Sequence, residues 1–126
     1  MLLNEWLNYR KAGIMDGLTN RLQGPYEILE LEDGQTKEIR PVRWEKGTVV
    51  IYPQHKPTGK EVLAVRLHVA EADKDFSPFY WDVTSQTLNA QLLPYLLSRE
   101  AGTYVLVIQK HGIAPKARFT LQVRPV

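Results

Sequence analysis

Hydrophobic residues recur along the first part of the chain at the spacing of one helical face. Leu3, Trp6, Leu7, Ile14, Leu18 and Leu22 recur at three- and four-residue spacing, with polar Asn4, Asn8, Arg10 and Lys11 between them. That pattern predicts an N-terminal helix. Gly13 and Gly17 each weaken its middle by about 1 kcal/mol relative to alanine, so two shorter helices satisfy the same pattern. Gly24-Pro25 stops it.

Beyond this stop the period changes to two. Residues 26–32 and 35–42 flank Asp33-Gly34, a dipeptide suited to a two-residue hairpin turn. Pairing about that turn sets Ile28 opposite Ile39 and Glu30 opposite Lys37, which predicts a hairpin in this register. Glu45-Lys46-Gly47 reads as a second turn before a short strand, Thr48 to Tyr52, closed by Pro53. Residues 54–60 are polar with Pro and Gly and read as a loop.

Glu61 to Ala70 carries the cleanest alternation, with Leu63, Val65, Leu67 and Val69 on one face and Ala64, Arg66 and His68 on the other. A half-buried strand is expected, with His68 on its solvated side. An acidic, Pro-broken stretch separates it from another candidate strand, residues 79–83. Leu88, Leu92, Leu93, Leu96 and Leu97 then mark a helix starting near Gln86, capped by Asp82 or Thr84 and kinked or divided at Pro94. Gly102 ends it. The last third predicts a second hairpin, in which Ala117, Phe119, Leu121 and Val123 face one way and Arg118, Thr120, Gln122 and Arg124 the other.

The element order predicts an α+β fold: a mainly antiparallel sheet of about six or seven strands, with an N-terminal helix and one internal helix packed on it. At 126 residues, 44% of them hydrophobic, the chain suits one core, so residues 1–126 are expected to form a single domain. The sequence has no cysteine, which excludes disulfide frameworks, thiolate nucleophiles and zinc fingers. The start lacks the basic and apolar regions of a secretory signal, and no apolar run approaches a membrane span. A cytoplasmic protein without membrane contact is the expectation.

Net charge is +2, but its distribution is uneven. Residues 34–70 and 101–126 each carry +4, and the terminal block (Lys110, Lys116, Arg118 and Arg124) contains no acid. If the two basic blocks meet, the surface is polarised. Trp44 stands between Arg43 and Lys46, with Arg40 nearby, in what reads as a basic turn.

Catalytic chemistry finds little support. His55, His68 and His111 fall in different elements at no metal-binding spacing, and no phosphate-binding loop or nucleophile elbow is present. Glu71, Asp73, Asp75 and Asp82 lack the order of a calcium loop and read as a solvated acidic loop. Among the aromatic residues Phe76, Phe79, Tyr80 and Trp81, alternation assigns Phe79 and Trp81 to the core rather than to a base-stacking platform. No enzyme, cofactor or metal is predicted.

The terminal hairpin is the most suggestive feature. Its cations can meet phosphates while Thr120 and Gln122 offer polar contacts. The leading expectation is a small non-enzymatic nucleic-acid-binding module using Lys110, Lys116, Arg118 and Arg124, supported by Arg40, Arg43, Trp44 and Lys46. The alternative is a protein-interaction module, such as a phage or mobile-element accessory factor, an inhibitor or an assembly subunit, using a sheet edge or a helix face.

Overall fold

The computed structural model describes residues 20–52 and 58–126. Most of the predicted N-terminal helix lies outside them. Where the two overlap, at Leu22, the chain is extended: Leu22 N–H donates to the Thr48 carbonyl, and Thr48 N–H donates to that of Asn20, both at 2.9 Å.

Among the described residues, six strands form two antiparallel three-stranded sheets, not one larger sheet. β1 (Thr36–Ile39), β5 (Tyr104–His111) and β6 (Arg118–Pro125) make one, with β5 central. β2 (Arg43–Ile51), β3 (Lys60–His68) and β4 (Tyr80–Val83) make the other, with β3 central. The described residues contain one α-helix, α1 (Gln86–Ser98), and a short 3-10 turn, Glu71–Asp73.

The sheets and α1 share a core. Leu63, Val65, Leu67 and Val83 from one sheet meet Ile39, Tyr104, Leu106 and Ile108 from the other, with Leu88, Leu92, Leu93 and Leu96 of α1. Burying each such leucine contributes about 1.5–3 kcal/mol. Phe79 and Trp81 pack against this cluster, as their alternation predicts, whereas Leu97 is 49% exposed. Ser85, rather than Asp82 or Thr84, caps α1, accepting the Leu88 N–H at 3.2 Å. The helix continues through Pro94 to Ser98. Docking of leucines on both sides of the proline offsets the hydrogen bond it removes.

The hairpin predicted about Asp33-Gly34 does not form. The turn itself is present, with Gly34 at φ +82° and Gln35 N–H on the Glu32 carbonyl. After it, however, β1 pairs with β5, setting Ile39 against Leu106 and Lys37 against Ile108. Ile28 instead lies beside Asp82 in a parallel bridge and packs with a second apolar cluster built on Leu22, Val49 and Ala64. Each isoleucine finds a different core, and the better burial overrides the local register.

Residues 20–29 therefore form a strap. One end bonds along β2, and the other bonds along β4 through Asp82 N–H to Glu27 O and Leu29 N–H to Asp82 O. Between them it crosses the face of β3 that alternation marks as solvated. Ala64 and Arg66 on that face are buried. His68 is half-buried, bonded to Glu45 at 2.7 Å and edge-on to the Tyr80 ring.

Gly47 explains how the strap approaches so closely. It is not in a turn, because β2 runs straight through residues 45–47. A Cβ there would meet the Asn20 carbonyl at 2.6 Å and the Leu22 side chain at 2.7 Å. A glycine inside a strand here marks backbone-to-backbone approach.

Candidate nucleic-acid interface

The predicted C-terminal hairpin forms, with Tyr104 opposite Pro125 and His111 opposite Arg118. Along β6, Phe119, Leu121 and Val123 pack toward the core, while Arg118, Thr120, Gln122 and Arg124 are exposed. The outer face of this sheet is thus open and mainly polar. His111 Nε2 lies 3.0 Å from the Thr120 hydroxyl.

Several backbone contacts hold the end of the hairpin. Gly112, at φ +86°, turns the chain away from β5, and its N–H donates to Asp33 Oδ1 at 2.8 Å. Lys116 N–H donates to the Ile113 carbonyl and closes the loop. The chain before β1 braces the base, with Gly34 N–H on the Lys110 carbonyl and Lys110 N–H on that of Gln35.

The expected cations divide into two groups. Arg124 is paired: its guanidinium bonds Glu38 Oε1 at 2.6 Å on the same sheet. The hydrogen bond and the opposite charge hold the Glu38 carboxyl below its usual value and raise Arg124 above its own. Sequence reading placed no acid among these residues because Glu38 arrives from a strand far away in the chain.

The central basic block is engaged elsewhere. Arg40 pairs with Asp73 at 3.4 Å, and Arg43 lies 3.6 Å from Glu45 and 3.4 Å from His68 Nδ1. Trp44 is no exposed residue of a basic turn; it sits in β2 across from Leu67 and packs on the main core. Lys46 lies in the same strand across from Val65. Arg43, Trp44 and Lys46 therefore belong to a different sheet from the hairpin.

Lys110, Lys116 and Arg118 remain. None has an ion-pair partner among the described residues. Lys110 faces the side of the hairpin that carries Phe119, lining a cleft with Ile28, Glu30 and Tyr52. Arg118 faces the opposite side with His111, and Lys116 lies in the exposed loop. Positive charge thus flanks one end of the hairpin on both faces. At its tip, Ile113 is 71% exposed; the sequence signal was an apolar residue between Gly112 and Pro115.

The acidic residues singled out by the sequence serve separate partners. Asp82 is buried and receives Arg66 Nε at 2.7 Å and the Glu27 N–H at 2.9 Å, while Asp73 holds Arg40. No cluster of three or more metal-ligating side chains occurs among the described residues. Arg66 also donates to the carbonyls of Gln23 and Pro25 in the strap, and its guanidinium lies 3.9 Å from the Tyr80 ring centroid. Burial pushes the Arg66 pKa down, but the hydrogen bond and charge of Asp82 more than offset it, so the net direction is up. Burial likewise raises Tyr80, whose hydroxyl donates to the Pro25 carbonyl. Each of these groups is committed to holding the strap.

No helix among the described residues is long and apolar enough to cross a membrane. Comparison with protein-family models, curated proteins and solved structures gave no match for this chain.

Proposed function

We propose that this protein is a small non-enzymatic nucleic-acid-binding module that meets backbone phosphates at the end of the β5–β6 hairpin. The observation supporting this reading is the grouping of Lys110, Lys116 and Arg118, without ion-pair partners among the described residues, on one hairpin end. An unpaired cation on a polyanion releases condensed counterions, whereas one already held by a carboxylate must first give up that partner. The contact set is therefore smaller than sequence reading implied. Arg124, Arg40 and Arg43 fall outside it because each has an acidic partner, and Trp44 and Lys46 because they lie in the other sheet.

The test is fluorescence anisotropy with labelled DNA and RNA oligomers across a salt series. If each of the three cations neutralises one phosphate of a DNA duplex, their combined log–log salt slope is about −2.7. The Lys110→Ala, Lys116→Ala, Arg118→Ala triple variant is expected to flatten the slope by about that amount. The Arg40→Ala, Arg43→Ala, Arg124→Ala variant leaves it unchanged, provided circular dichroism shows it folded. Absence of binding at low salt, or a slope indifferent to the first triple, defeats the reading.

A protein-interaction role rests on a different observation. β6 is an eight-residue strand at the edge of its sheet, and unpaired edges accept a partner's strand. Capture of one protein by a chain that ignores nucleic acid at low salt selects that role.

A further inference from the structure

We infer that Ile113 is a wedge that enters between adjacent base pairs of duplex DNA while Lys110, Lys116 and Arg118 hold the phosphates on either side. This deepens the phosphate-binding reading above and rests on it. Ile113 is 71% exposed at the tip of a loop whose base is tied down through Gly112 to Asp33 and through Lys116 to Ile113 itself. The side chain is therefore presented from a braced turn, and little ordering is needed when it meets a ligand.

Cations stand on both sides of it, together with two acids, Glu30 in the Lys110 cleft and Asp33 on the Gly112 N–H. Lys110 shares the face of Phe119, Arg118 shares the opposite face with His111, and Lys116 stands in the loop between them. A duplex groove has a phosphate strand along each wall, so a hairpin with cations on both faces matches both walls at once. Apolar side chains inserted from such a position unstack a base step and bend the duplex. Flexible pyrimidine–purine steps yield most readily.

The same residues argue against other polyanions. Binding of single strands relies on aromatic side chains that stack successive bases, and residues 110–118 contain no Phe, Tyr or Trp. Stable attachment to an anionic membrane needs more apolar insertion than one side chain supplies. From the tip onward, the exposed face of β6 offers Thr120 and Gln122, which suit phosphate, sugar and base-edge contacts rather than lipid tails.

The experiment uses the full chain and a duplex of about 20 base pairs with one central TA step. The duplex carries a fluorescent purine analogue at that step and a donor–acceptor dye pair at its ends. Binding is expected to raise the analogue's fluorescence, reporting unstacking, and to shorten the end-to-end distance. Ile113→Ser is expected to lose both signals, to weaken binding to this duplex by about tenfold and to keep the salt slope. Ile113→Leu is expected to retain both signals. Wild-type binding with the expected salt slope but neither signal overturns the wedge and leaves phosphate binding standing. Retention of both signals by Ile113→Ser also overturns it. Preferential binding to phosphatidylserine vesicles, lost in Ile113→Ser, reassigns the tip to a membrane surface. Absence of binding to any duplex at low salt removes the wedge and the phosphate reading together.

Discussion

The two sheets have the same number of strands and equally regular alternation at β3 and β6, yet they meet water differently. β3 is covered on both faces. Leu63, Val65 and Leu67 look into the main core, while Ala64 and Arg66 lie under residues 20–29. β6 is covered on one face only, and Arg118, Thr120, Gln122 and Arg124 stay exposed. The difference shows in how charge is handled. Arg66 is 3% exposed and must find all its partners inside, from Asp82 and the strap carbonyls. Arg124 keeps much of its hydration and has one carboxylate beside it. Alternation reports which residues share a face; whether that face is wet depends on what else the chain lays across it.

The largest expected effect comes from breaking the buried pair. Asp82→Ala leaves the Arg66 charge buried without its carboxylate and also deprives the Glu27 N–H of its acceptor. A loss of about 3–5 kcal/mol is expected in urea unfolding. Replacing both partners, Arg66→Met with Asp82→Leu, is expected to recover a large part of that loss, because no lone buried charge remains. A single variant as stable as the parent shows that water reaches Arg66 and that the two sheets are not different after all.

Gly47→Ala probes the cover itself. The added methyl meets the Asn20 carbonyl and Leu22 well inside contact distance, so the strap must shift. The expected cost is about 1–3 kcal/mol in urea unfolding, together with faster exchange of the Leu22 and Thr48 amide protons that join strap and β2. A neutral outcome places the strap farther from β2 than this packing requires.

The smallest effect belongs to the open sheet. Arg124 holds the Glu38 carboxyl below its ordinary value of 4.5. A depressed carboxylate pKa adds stability that is present above the unfolded-state value and is lost as pH falls through the folded one. Thermal unfolding of wild type and Glu38→Gln is expected to differ slightly at neutral pH and to converge on acidification below about 4.5. Added salt is expected to erase the difference, since both groups are exposed to solvent. A gap that persists at low pH assigns the role of Glu38 to packing instead.

Much of the strand content was legible because alternation and turn chemistry are local. Val65 and Leu67, Phe119 and Leu121, and Leu88, Leu92, Leu93 and Leu96 of α1 face the core that their spacing assigns to them, while Leu97 of the same stripe faces solvent. The sequence by itself thus determined a strand-rich α+β fold, the terminal hairpin and the two faces of β6, but not the register in which the hairpin strands pair. Partnerships between distant segments were decided only in three dimensions. The Asp33-Gly34 turn forms, but Ile28 and Ile39 part because two separate apolar clusters bury them better than each other. Gly47 reads as a turn residue until Asn20 and Leu22 are seen against it. The free cations of the hairpin end became distinguishable only when Glu38, Asp73 and Glu45 had taken Arg124, Arg40 and Arg43. Local sequence specifies backbone preference and the faces of each element, while burial and charge pairing depend on which segments the fold brings within reach.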